Sequence, residues 1–322
     1  MLMRTITLEE HFVTQDFLKA THADGDNMPS ALKAVRERLL DMGPLRIAAM
    51  DEASIDLQVI SLAAIGVDAL AAAEQTAVLR SVNDEAAAAV NANPARLAAF
   101  CTPGLKEPAN AVKEIDRCIT QLGFKGVYVN GTTDGKFLDA PEFFPVLEAA
   151  AALKVPVYVH PAPPPASIMS VYFGGLAPEV AMPLSIAGWG WHAETALHTL
   201  RLIVSGVLDR LPTLQVIIGH MGEGIPYALA RSNGILSAAR KNAPRTVTET
   251  FLEQVHVTTS GYFTKPPFDC CREVIGLNHM MYSVDYPFSP NAKGKEFLAG
   301  LALSEADLTQ LTQTNAERVL NL

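Results

Sequence analysis

Residues 4–12 read RTITLEEHF, a β-branched run that ends in two glutamates and a histidine. Alternating threonine and isoleucine favour an extended strand over 4–8. A doubly wound sheet usually follows its first strand with a phosphate-binding glycine turn, and LEEHF contains no glycine. From an extended segment Glu9 and His11 point the same way while Glu10 points oppositely, so the strand ends by presenting a carboxylate and an imidazole together.

Similar runs recur at 56–62, 97–101, 124–129, 156–159, 214–218, 255–259 and 280–284, making eight candidate strands. Helical stretches lie between them, among others at 71–91, 109–122, 141–153, 194–208 and 223–240. Strands alternating with helices demand parallel pairing and crossovers, and eight such units close a ring. The predicted fold is α/β: a single (β/α)8 TIM barrel forming one domain over residues 1–322. Long loops are expected after strand one, from Phe12 to about Ser30, and after strand five, over 161–191. The second is proline-rich and carries both tryptophans, Trp189 and Trp191, as an ordered lid would. Ser304 with Asp307, and Thr314 with Glu317, resemble capping boxes and predict extra C-terminal helices on the outside of the barrel.

Of the 322 residues 49% are hydrophobic and 18% charged, as in a packed globular enzyme, and the net charge of −9 would repel a phosphate backbone. Nucleic acid is therefore not an expected partner, and neither is a membrane. The opening MLMRTITLEEHF has Glu9 and Glu10 where a signal peptide needs its apolar stretch, so a cytoplasmic protein is expected. Cys101, Cys118, Cys270 and Cys271 match neither zinc-site spacing nor a disulfide framework and read as buried thiols.

All strand C-termini of such a barrel face one mouth. Glu9 and His11 end the first strand, His160 the fifth, His220 the sixth and Asp285 the eighth. A lone histidine there usually packs, but three histidines and two carboxylates converging on one cavity are better explained by a cation. Glu9, His11, His160 and Asp285 would form a thiolate-free site for one divalent ion, Zn²⁺ or Mn²⁺ ahead of Mg²⁺. Glu223, three residues after His220, lies close enough to fix its tautomer, which assigns His220 to acid/base work or to a supporting place beside the ligands.

Six ordered blocks, TLEEHF, GPLRIAAMDEASIDLQVISL, GFKGVYVNG, VPVYVHP, ETALHTLRLIVSGVLDRLPTLQVIIGHMGEGIPY and MMYSVDYPF, resemble the amidohydrolase superfamily over nearly the whole chain. The closer likeness is to its nonhydrolytic branch of aromatic-acid decarboxylases, typified by the γ-resorcylate, 5-carboxyvanillate and aminocarboxymuconate semialdehyde enzymes. Superfamily hydrolases open with His-x-His, whereas Glu9-x-His11 resembles the decarboxylase variant. By position the resemblance implies metal ligation by Glu9, His11, His160 and Asp285, and a catalytic pair of His220 and Glu223. It implies substrate contacts at Asn130 and Arg231, Arg231 reaching in from a neighbouring subunit of a homodimer or homotetramer. Phe12, Trp189 and Trp191 are candidates for packing on a substrate ring, and His22 for touching substrate from the first long loop.

The resemblance departs after His160, where Pro161 is followed by Ala162 instead of the arginine of the γ-resorcylate enzymes. The implied reaction is non-oxidative decarboxylation of an ortho-hydroxy aromatic acid chelated through phenolic and carboxylate oxygens, with the ring carbon protonated by Asp285 or, as competitor, His220. The alternative is a metal-dependent hydrolase or hydratase of a small carboxylated lactone, amide or enol on the same barrel. His192 and His198 are assigned no chemistry, Glu194 and His198 being expected as a helix-surface pair, and His256 and His279 are expected to be structural.

Overall fold

The computed structural model describes residues 4–24, 30–63 and 66–322. Its strands are β1 (Ile6–Phe12), β2 (Leu57–Leu62), β3 (Leu97–Ala99), β4 (Val127–Asn130), β5 (Val157–His160), β6 (Val216–Ile218), β7 (Val255–Thr258) and β8 (Met280–Met281). All ladders are parallel and run in two arcs, β1-β2-β3 and β4-β5-β6-β7-β8. A parallel bridge between Cys101 and Val127 joins β3 to β4. Side chains join β8 to β1: the Leu8 and Glu9 amides both donate to Ser283 Oγ, at 3.1 and 2.7 Å.

Strand alternation sorts the core into two layers. Ile6, Leu8, Leu57, Val59, Phe100, Tyr128, Tyr158, Ile217 and Met281 fill the barrel interior. Ile60, Leu62, Val127, Val129, Val157, Val159, Ile218 and Val257 face outward into the larger core beneath the helices. β1 breaks this alternation. Its pairing with β2 shifts register between Thr7 and Glu10, so Leu8 and Glu9 both face inward, His11 follows Glu9, and Glu10 turns out. Such a bulge re-aims the residues beyond it.

Several expectations need correction. β1 runs on to Phe12 because Glu10, His11 and Phe12 pair with Ile60, Ser61 and Leu62, so Glu9 and His11 lie within the strand. The stretch after β1 holds the helix Gln15–Ala20, with 25–29 outside the described residues, and the stretch after β5 folds into the helices Ala166–Tyr172 and Pro178–Ser185. Ser304 accepts from the Asp307 amide as predicted, but Thr314 makes no cap. It sits in a continuous helical run, and Ala316, Val319 and Leu320 of the helix Asn315–Leu320 join the interior core instead of covering the outside. No described helix is long and apolar enough to cross a membrane.

Candidate metal and catalytic site

β1 and the end of β5 bring Glu9, His11 and His160 together, and two turns complete the group. His220 follows β6 in a left-handed run, with φ of 50° at His220, 55° at Met221, 75° at Gly222 and 56° at Glu223, and Asp285 after β8 has φ 71°. Non-glycine residues held there are strained, and the barrel over-determines them. Candidate ligand atoms of Glu9, His11 and His160 lie within 4.8 Å of one another, as do those of Glu9, His220 and Asp285. His11 Nε2 is 3.1 Å from Asp285 Oδ1, and Glu9 Oε1 is 3.3 Å from His160 Nε2 and 3.5 Å from His220 Nε2.

Each histidine has its other ring nitrogen engaged. His11 Nδ1 faces Ser61 Oγ at 3.4 Å, His160 Nδ1 faces Asn130 Oδ1 at 3.1 Å, and His220 Nδ1 faces Glu223 Oε1 at 2.8 Å. That leaves three Nε2 atoms turned to one centre, the arrangement that orients imidazoles for a cation. Glu9 shows the same division of labour. Its Oε2 accepts from Tyr158 OH, Ser260 Oγ and Thr258 Oγ1, while the buried Oε1 has no hydrogen-bond partner. A buried carboxylate oxygen without a donor is costly, and a divalent cation satisfies it. The residues therefore fit such an ion.

Burial pushes His11 down to about 4, with Glu9 opposing, and lowers His160, so both imidazoles are neutral as ligation requires. Burial would raise Glu9, but the charge of His220 foremost, with the His160 ring nitrogen beside it, holds it well below the usual carboxylate range. Burial lifts Asp285 to about 7. His220 is driven down by burial and more strongly up by Glu223 and Glu9, to about 10.

Glu223 serves two imidazoles: its Oε2 lies 2.5 Å from His192 Nδ1. His192 Nε2 in turn accepts from Trp191 Nε1 at 3.2 Å. His192, assigned no chemistry from the sequence, is thus placed in this cluster, since the helix Gly190–Val204 turns it inward and buries it. No motif announced this: His192 stands two residues before the ETALH-containing block, and sequence spacing does not bring 192 beside 220. His198 is likewise no surface residue: it is buried and accepts from the Leu138 amide at 2.9 Å. His256 and His279 stack against each other, 5.4 Å between ring centroids.

The other candidates are spread more widely. Asn130 touches His160 and keeps a buried Nδ2 without a partner. Phe12 is 1% exposed and sits in the outer core. Trp189 is 64% exposed and lines a cavity of about 850 Å³ with Phe137, Ile168, Tyr172 and Leu197. Arg231 is exposed on the helix Ile225–Ala239, and His22 is exposed in the turn after Gln15–Ala20. All four cysteines are free, and burial raises the Cys101 thiol far above the range of a nucleophile.

Residues 11–322 match the family model described as amidohydrolase. The γ-resorcylate decarboxylase of a Polaromonas species is 34% identical, covering 98% of both chains. Among solved structures, the 5-carboxyvanillate decarboxylase of Sphingomonas paucimobilis superimposes with TM-score 0.89 and 32% identity, over 99% of both chains. A dihydroxybenzoic acid decarboxylase of Polaromonas, solved with manganese and the inhibitor 2-nitroresorcinol, gives 0.88 and 30% identity over 99% of this chain and 97% of its own. The parallel barrel, its bulged first strand and the carboxylates and imidazoles gathered at its mouth thus sit in a chain that belongs to the amidohydrolase family, in the branch shared with these decarboxylases.

Proposed function

We propose that this chain is a divalent-metal-dependent, non-oxidative decarboxylase of an ortho-hydroxy aromatic carboxylic acid. The observation that carries the reading is the partnerless Glu9 Oε1 facing inward-turned His160 and His220, beside the His11–Asp285 pair. Glu9, His11, His160 and Asp285 would hold the ion, with manganese favoured by the bound metal of the Polaromonas structure. Bound there, it supplies positive charge that orients the acid and stabilises negative charge on its oxygens.

Asp285, or His220 next to it, delivers a proton to the ring carbon that bears the carboxylate. The bond to the carboxylate carbon then breaks, its electron pair returns to the ring, and CO₂ leaves. Glu223 orients His220 and is itself held by His192. Asn130 keeps His160 in register and has a free amide donor for substrate. Trp189 and Trp191 flank the ring, and Arg231 reaches the mouth of a neighbouring protomer in a cytoplasmic homodimer or homotetramer, each protomer one barrel domain.

The test is CO₂ release from 2,6-dihydroxybenzoate and other ortho-hydroxybenzoates by the Mn²⁺-reconstituted chain, run beside Asp285→Asn and a panel of lactones and amides. Release that disappears in the variant supports the reading. Turnover of the lactones or amides alone would make the protein a hydrolase and overturn it.

A further inference from the structure

Glu10 belongs to none of the roles above. It points away from Glu9 and His11, yet it is fully buried and its carboxylate is saturated by donors from the far side of the barrel seam. Oε1 accepts from Ser283 Oγ at 3.1 Å and the Val284 amide at 3.0 Å; Oε2 accepts from the Tyr286 amide at 3.1 Å and from Gln58 Nε2 at 3.4 Å. The two backbone donors are the residues on either side of Asp285.

β8 and β1 share no ladder, so this carboxylate does the work that strand pairing does elsewhere in the ring. Ser283 completes it, accepting both amides of the β1 bulge while donating to Glu10. Arg46, also fully buried, donates to Gln58 Oε1 and to the carbonyl of His11, and the His11 amide donates to the Tyr286 carbonyl at 2.6 Å. Both flanks of a left-handed Asp285 are therefore tied to Glu10, and the bulge that aims Glu9 is tied to Ser283, which in turn donates to Glu10.

We infer that Glu10, with Ser283, is a positioning residue: by gripping the Val284 and Tyr286 amides it holds Asp285 at φ 71° against His11 and so presets the metal site. The inference rests on the proposal that Asp285 is a ligand. An isolated aspartate does not favour this backbone region, and a site whose ligands must first be arranged binds its ion less tightly. A carboxylate suits the task because each oxygen can accept, whereas a glutamine in its place can satisfy only one of the two amides with its single oxygen.

The experiment titrates Mn²⁺ into the folded full chain, following free Mn²⁺ by electron paramagnetic resonance, for wild type, Glu10→Gln, Ser283→Ala and Asp285→Asn. Glu10→Gln is expected to weaken Mn²⁺ binding about 10–100-fold and Ser283→Ala to weaken it less, each with native near-ultraviolet circular dichroism and with kcat reduced even at saturating Mn²⁺. A Glu10→Gln chain that only melts earlier, with wild-type Mn²⁺ affinity and kcat, would reduce Glu10 to a packing residue and overturn the inference. Should Glu10→Gln not fold, unchanged affinity in Ser283→Ala overturns it equally. Wild-type affinity in Asp285→Asn would instead refute the ligand set on which the inference depends.

Discussion

The two sides of the barrel mouth are built to opposite standards. On the strand side three carboxylates are buried and each held by several partners: Glu9 by three hydroxyls, Glu10 by four donors, Glu223 by two imidazoles. On the helical side, over Ala166–Tyr172 and Pro178–Ser185, apolar side chains stand in the open, Val171 at 75% and Tyr172 at 72% exposure, with Trp189 beside them at 64%. The contrast follows from what each side must do. Charge is useful only if held in place within fractions of an ångström, which demands a rigid, low-dielectric frame, whereas an apolar cover works by area and tolerates movement.

If that division is right, substitutions on the strand side should remove function and those on the helical side should only tune it. His160→Ala is expected to have the largest effect, a loss of Mn²⁺ affinity beyond the roughly 100-fold that supporting residues cost, read by calorimetric titration. An affinity within tenfold of wild type would break the ligand assignment. Glu223→Gln comes next: with one acceptor left for two imidazoles, kcat should fall about 100-fold at unchanged metal content, and His192→Gln about tenfold. Steady-state kinetics with metal analysis would separate these, and equal kcat in both variants and wild type would show the cluster to be merely structural.

Trp189→Ala should spare kcat and raise KM about two- to tenfold, the value of a lost ring contact near 1 kcal/mol. A large fall in kcat there would erase the contrast between the two sides. The last effect concerns stability and leaves function at neutral pH untouched. Burial lowers His198 from 6.5 to about 3, with Asp139 opposing. Between those values the unfolded chain binds one proton more than the native one, so stability is lost as pH falls from 6.5 towards 3 and is unaffected above 6.5. His198→Gln, whose amide oxygen can still accept from Leu138, should make urea-denaturation stability less steep over that window by at most about 1.4 kcal/mol per pH unit. Parallel slopes would count against a neutral buried His198.

Much of the barrel could be read from the chain because its signals are local. The run 71–91 becomes the helix Ala72–Ala92 and 255–259 becomes Val255–Thr258, each carried by periodicity that neighbours in sequence create. The long connections were less readable: a seven-residue helix such as Ala166–Tyr172 buries none of its residues and spans too few turns for periodicity to announce it. Glu194 and His198 looked like a surface pair because helix spacing says which residues share a face, not what that face meets.

By itself the sequence determined the repeating strand-helix order, the acidic and imidazole groups placed at strand ends, and the pairing of Glu9 with His11 against Glu10. Those are matters of residue type and of a two-residue period, which hold before any fold exists. Only the tertiary structure decided which way that pair faces. Simple alternation from Leu8, an interior residue, would have sent Glu9 outward, and the register shift against β2 reverses this. It alone also brought His192 to Glu223 and gave Glu10 the two amides beside Asp285, because these contacts join residues 31, 274 and 276 apart, whose meeting depends on how the ring closes.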